Sequence, residues 1–135
     1  WIITTTINPI DDSTTVVAVL TAREGQGTYG DDINLVLRCK SHELDVFIMW
    51  ESYLGLDDPQ ITTRISDAPA QTTRWSISTN NQTSFSESPR SLINSLSSAG
   101  DQYVAQVTPY NENPITAIFD LAGVKNAAQQ VVDGC

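Results

Sequence analysis

The chain has 135 residues, of which 40% are hydrophobic and 17% are charged, and these values predict one globular domain over residues 1–135. The formal net charge of −9 argues against a nucleic-acid or anionic-lipid partner, because an acidic surface repels both. No apolar run has the length of a membrane span, so no transmembrane segment is predicted within the chain. The chain begins at Trp1 rather than Met, and we expect a signal peptide or anchor to have been removed before it.

The first half of the chain alternates between strand-forming runs and turns. Short strands are predicted at residues 1–6 and 14–22, and the Gly-rich residues 23–32 are predicted to form a flexible loop. Residues 33–50 predict a β-hairpin through the core, because two apolar runs flank a short polar segment. A further short strand is expected at residues 61–66.

The second half adds strands and both helices. Residues 73–79 and 82–86 are predicted to pair around an Asn-Asn turn, and further strands are expected at 101–108 and 115–121. Ser88 and Pro89 are typical of the N-cap and first residue of a helix, which should end at Gly100. A short helix is expected at residues 123–132, with its apolar face formed by Val124, Ala127, Ala128 and Val131.

These elements predict a mainly β (α+β) protein. About eight short strands and two helices occur without a βαβ rhythm. We therefore expect an antiparallel β-sandwich or partly open barrel with two packed helices. Trp50 and Trp75 are expected to pack in its core.

Cys39 and Cys135 are the only cysteines, and they lie at the end of a predicted strand and at the last position of the chain. A cysteine at that last position has little use as core filler, which favours a disulfide and an oxidising compartment. The alternative interpretation is two unrelated thiols.

Motifs of catalysis and metal binding are absent from the sequence. His42 is the only histidine and lies in a predicted turn, and one His with two cysteines cannot complete a zinc site. Neither a catalytic residue nor a metal or cofactor is predicted. Three Asp-Asp pairs fall in predicted loops, at positions 11–12, 31–32 and 57–58, without the spacing of a calcium loop. Solvated turns are the favoured interpretation, and a carboxylate pair for glycoside hydrolysis is the alternative.

Two arginines lie inside apolar strand patterns, at Arg38 and Arg64. Such a residue needs carboxylate or carbonyl partners, and Asp67, Glu51 and Asp45 are the candidates. The structural interpretation is an ion pair that fixes strand register, and the functional one is a pocket for an anion or a peptide carboxylate. The candidate binding residues are Arg38, Arg64, Asp67, Tyr53, Tyr110, Asn111 and Glu112.

Five motifs follow one another along nearly the whole chain: Pro9–Ser13, Leu37–Cys39, Arg64–Gln71, Trp75–Asn80 and Pro109–Asp120. In this order they resemble the VasI/TagO-like family of type VI secretion-associated proteins. The resemblance implies an exported bacterial envelope protein, periplasmic, with a Cys39–Cys135 disulfide as a shared feature. It implies no known reaction.

The leading functional hypothesis is a non-enzymatic accessory or binding module with a protein partner in the cell envelope. The resemblance implies type VI secretion as the system it serves. A periplasmic inhibitor or immunity protein that caps a basic cell-wall enzyme is a second hypothesis, which the acidic charge favours. A cell-wall hydrolase that uses loop carboxylates is the third. The sequence predicts no oligomeric state.

Overall fold

The computed structural model describes residues 1–135, apart from the side chain of Ala99. It contains ten strands and two helices. The strands are β1 (Ile2–Ile7), β2 (Thr14–Gln26), β3 (Asp32–Lys40), β4 (Glu43–Met49), β5 (Gln60–Ile65), β6 (Gln71–Arg74), β7 (Ser76–Ile77), β8 (Thr83–Phe85), β9 (Gln102–Val107) and β10 (Ile115–Asp120). The helices are α1 (Pro89–Ala99) and α2 (Val124–Asp133). The predicted mainly β fold with two helices is confirmed.

All the strand pairs are antiparallel and form one nearly closed sheet. The order of its strands is β6-β5-β9-β10-β2-β3-β4-β8-β7, with β1 paired to β2 beside this path. Trp75 alone separates β6 from β7 in the chain. The two ends of the sheet order are therefore joined covalently, and the sheet closes into a barrel that is split where β6 and β7 diverge.

Strand β2 connects the two halves of the barrel. Its first part pairs with β1 and β3, and its last part pairs with β10 through Glu24 and Ile118. The flexible loop predicted for residues 23–32 is thus wrong in part, because β2 continues to Gln26. Its register with β3 shifts between Thr21 and Gln26, which is the irregularity of a bulge.

The core lies between the concave face of the sheet and the two helices. Helix α1 packs on β4 and β5, and α2 packs on β2, β3 and α1. The predicted apolar face of α2 is confirmed, because its buried residues are Val124, Ala127, Ala128 and Val131. Trp50 and Trp75 are both buried, as expected, and the indole of Trp50 donates a hydrogen bond to Ser84 Oγ at 2.9 Å.

Two local predictions need correction. Ser88 precedes α1, but its side chain makes no capping hydrogen bond. The strand predicted at residues 73–79 is interrupted at Trp75, where the backbone N–H donates to the carbonyl of Pro59 instead of to a neighbouring strand.

Cys39 and Cys135 form a disulfide with a Cα–Cα distance of 5.6 Å, which confirms the predicted pairing. The bond ties β3, in the middle of the sheet, to the residues that follow α2. In the described part of the chain, neither helix has the length and apolar character that crossing a membrane requires.

Candidate functional site

Four loops meet at one end of the barrel, which we call the loop end. It consists of residues 27–31, 51–59, 78–82 and 108–114. These segments connect β2 to β3, β4 to β5, β7 to β8 and β9 to β10. In this antiparallel sheet β2, β4, β7 and β9 run in the same direction, so the loops that follow them lie at the same end.

Polar side chains join the first, second and fourth loops. The hydroxyl of Thr28 donates to Glu112 Oε2 at 2.7 Å and lies 2.9 Å from Ser52 Oγ. Ser52 is buried and also accepts a hydrogen bond from the backbone N–H of Thr28 at 2.8 Å. Because these hydrogen bonds connect the three loops, the loops form one defined surface.

Tyr53 and Tyr110 form the aromatic centre of the loop end. Their rings meet edge to face with centroids 5.9 Å apart, and the backbone N–H of Tyr110 donates to the carbonyl of Tyr53 at 3.1 Å. The third loop joins this pair through Asn81, whose side-chain amide donates to the carbonyl of Gly55 at 2.9 Å. The structure therefore brings together the two tyrosines predicted from the sequence as binding residues, Tyr53 and Tyr110.

The loop end combines exposed apolar side chains with negative charge. The exposed fractions are 90% for Tyr29, 79% for Leu56, 62% for Tyr110 and 44% for Tyr53. Its acidic residues are Asp31, Glu51, Asp57, Asp58 and Glu112, and its four segments contain no Lys, Arg or His. Tyrosines set among Ser, Gly and Asn are typical of protein-recognition loops, because they offer large contact area with little loss of side-chain entropy.

Arg38 lies away from the loop end, on the outer face of β3. It faces Asp45 directly across the β3–β4 pair, and its Nη2 donates to Asp45 Oδ2 at 2.7 Å. The guanidinium also stacks on the ring of Phe47, with its central carbon 5.0 Å from the ring centroid. These contacts are those of a cross-strand pair that fixes register, the structural interpretation of this residue.

Replacing Arg38 with Met should lower the free energy of unfolding by about 0.5–1 kcal/mol, the usual contribution of a partly exposed cross-strand ion pair. Methionine keeps an apolar stem on Phe47, so the change removes mainly the charge. Urea denaturation of R38M should show a smaller loss at high salt, because salt screens the pair. R90M is the control, since Arg90 is exposed on α1 and makes no ion pair among the described side chains. An equal loss in both variants would contradict the assignment.

Arg64 and Arg38 do not lie in the same site. Strands β9, β10 and β2 separate β5 from β3 in the sheet. The exposed Arg64 donates from Nε to the carbonyl of Ala68 at 2.9 Å and forms no ion pair with any described carboxylate. Asp67 lies exposed in the turn that this hydrogen bond spans. Arg64 and Asp67 therefore lie close together at the end of β5, away from Tyr53 and Tyr110.

The acidic pairs are divided between the two ends of the barrel. Asp57, Asp58 and Asp31 belong to the loop end, and Asp32 is the first residue of β3, whereas Asp11 and Asp12 lie in the β1–β2 turn at the other end. Ser13 holds the pKa of Asp11 below its usual value, because its hydroxyl and backbone N–H both donate to this carboxylate. Asp58 accepts a hydrogen bond from the backbone N–H of Ile77 at 2.9 Å.

Within the described residues, no cluster of His, Cys, Asp and Glu is arranged to hold a metal ion.

The sequence analysis missed Tyr29 and Leu56, because a Gly-rich loop and a turn were interpreted only as connections. It also missed a cavity beside α1, to which Tyr103 and several serines contribute. A signal was present for the serines, since Ser91, Ser95 and Ser98 recur at helical spacing on one face of α1, directly after Ser88. No local signal exists for the contact between Thr28 and Glu112, which are 84 positions apart.

Comparison with protein-family models, with curated proteins and with solved structures finds no match to this chain.

Proposed function

We propose that this protein is a non-enzymatic binding module of the bacterial cell envelope, and that its loop end recognises a basic surface of a protein partner. The observation that carries the proposal is that Tyr29, Tyr53, Leu56 and Tyr110 are all exposed on the loop end among carboxylates, without a cation in the same loops. Aromatic anchors supply most of the binding energy in protein interfaces, and complementary charge selects the partner and speeds its approach.

The cell-envelope location rests on two supports. A disulfide between Cys39 and Cys135 fits an oxidising, extracytoplasmic compartment. The resemblance to VasI/TagO-like proteins favours the periplasm and, in its most specific form, a partner within type VI secretion.

An inhibitor or immunity protein that caps a basic cell-wall enzyme is the second candidate. The same acidic loop end favours it, because a cationic cleft is the surface that these carboxylates would complement. A hydrolase has less support. Glycoside hydrolysis ordinarily uses two carboxylates, and the cavity beside α1 is lined by only one among the described residues, that of Glu87. A second cavity is lined by Asp101 and Asp120, but Asp101 accepts a hydrogen bond from the hydroxyl of Ser66 and Asp120 accepts one from the backbone N–H of Ala122.

Removing both central tyrosines in Y53S/Y110S should weaken partner binding by about 30-fold or more, since one aromatic hot spot contributes about 2 kcal/mol. The measurement is retention of proteins from a bacterial periplasmic extract, followed by titration of each retained protein. I10S is the matched control, because Ile10 is 90% exposed in the turn at the opposite end of the barrel.

Proteins that depend on the loop end should bind the wild type and I10S, elute with salt, and be lost from Y53S/Y110S. Equal retention by all three proteins, or retention of acidic proteins only, would contradict the proposal. If a retained protein is a cell-wall hydrolase, its activity in the complex separates the two candidates. Inhibition supports the capping role, and full activity supports an accessory role.

A further inference from the structure

The split in the barrel opens into a cavity of about 680 Å³ beside α1. Strands β5, β6 and β9 form one wall, and α1 with the residues before it forms the other. None of its lining residues belongs to the loop end. The volume lies in the range of small-molecule sites, about 300–1,000 Å³.

The lining is rich in hydroxyl groups and nearly uncharged. Eight of the sixteen lining residues carry a hydroxyl: Thr63, Thr73, Ser86, Ser88, Ser91, Ser95, Ser98 and Tyr103. Arg74 and Glu87 are its only charged residues, and they pair with each other at 3.4 Å. The cavity therefore offers no unpaired charge to attract an ionic ligand, and its polar walls do not suit a purely apolar one.

Tyr103 supplies the strongest sign that this cavity is a ligand site. Its side chain is fully buried and lines the cavity, yet its hydroxyl has no hydrogen-bond partner among the described residues. The nearby Thr63 hydroxyl does not meet the geometry of a hydrogen bond to it. Burial raises the pKa of Tyr103 well above its ordinary value, although Thr63 acts in the opposite direction, so the phenol keeps its proton at neutral pH. A buried donor without an acceptor is unfavourable, and a bound ligand can remove this penalty.

We propose that this cavity binds an uncharged, hydroxyl-bearing ligand of the size of a mono- or disaccharide, which accepts a hydrogen bond from the hydroxyl of Tyr103. Ser88, Ser91 and Ser95 are exposed and line the same space, so their hydroxyls are accessible to a ligand there. They supply the mixed donors and acceptors that sugar hydroxyls require. This site does not depend on the function proposed for the loop end.

The test is titration with two neutral disaccharides, maltose and N,N′-diacetylchitobiose, followed by intrinsic tryptophan fluorescence and by amide chemical shifts. Trp75 lines the cavity and should report binding directly. At least one disaccharide should bind the wild type. Y103F should weaken this binding at least tenfold while its melting temperature stays equal to that of the wild type or rises, since it removes only the unpartnered hydroxyl. S91A/S95A should also weaken binding.

T72A is the matched control. The Thr72 hydroxyl pairs with that of Thr62 at 2.8 Å, and neither residue lines the cavity, so T72A should bind as the wild type does. Absence of binding by both disaccharides, or equal affinity in Y103F and the wild type, would overturn the proposal. An extended peptide that binds along the edge of β6 in place of the sugars would overturn it as well.

Discussion

Replacing Cys135 with Ser should lower the free energy of unfolding by about 4–5 kcal/mol, the value expected when a disulfide that closes a loop of roughly 100 residues is lost. The two cysteines are separated by 96 positions, so the bond restricts most of the unfolded chain. Domains of this size have a total stability of about 5–15 kcal/mol, and C135S should therefore be marginally stable. This substitution leaves the buried Cys39 in place and creates no cavity in the core.

Urea denaturation followed by the fluorescence of the buried Trp50 measures the effect. The wild type under reducing conditions is the matched control, because it loses the same bond without a change in sequence. Both samples should unfold at similar, much lower urea concentrations than the oxidised wild type. A loss below 1 kcal/mol in both would mean that the disulfide does not determine the stability of this fold.

Replacing Gly25 with Ala should destabilise the protein by about 2–5 kcal/mol, the sum of a left-handed backbone conformation and overpacking against a fixed strand. Gly25 has φ of +98°, and a Cβ at this position would overlap with the carbonyl oxygen of Thr116 in β10. The neighbouring residue Glu24 makes the registered pair that joins β2 to β10. The substitution therefore pushes apart the two halves of the barrel.

G30A separates the backbone contribution from the steric one. Gly30 has φ of +87°, but nothing lies within 4 Å of a Cβ built there. Its substitution should cost only about 1–2 kcal/mol, the penalty of the left-handed conformation. Chemical denaturation of both variants gives the comparison. Equal losses would show that the close approach of β2 and β10 does not limit stability.

Local patterns were sufficient to predict most of the individual elements. A strand was predicted at residues 101–108, and β9 lies there with Tyr103, Ala105 and Val107 buried on one face. Helical spacing predicted the buried face of α2 in the same way. Each of these patterns involves one face of a single strand or helix, and the spacing of residues in the sequence is enough to identify such a face.

The predictions that failed depend on contacts between distant elements. Residues 23–26 contain features of a loop, but pairing with β10 and β3 extends β2 through them. At Trp75 the alternation continues, while a hydrogen bond to Pro59 takes the residue out of the strand. No local pattern encodes either pairing.

The candidate site was predicted in part for the same reason. Tyr53 and Tyr110 were selected from composition, and the structure places their rings together with Glu112 in the adjoining turn. The arginines were selected with them, but β3 and β5 lie on separate parts of the sheet. The order of the strands determines which residues lie at the same end of the barrel. This order cannot be predicted from local sequence patterns.

The way the barrel closes limits how copies of this protein can aggregate. An exposed strand edge is a template for pairing with another chain, and short strands blunt it. The strands at the two ends of the sheet order have only four and two residues, and Trp75 holds them together. Strand β1 is longer, with six residues, and pairs only with β2 among the described strands. Its free edge, with Ile2 and Ile7 exposed, is therefore where intermolecular strand pairing would begin.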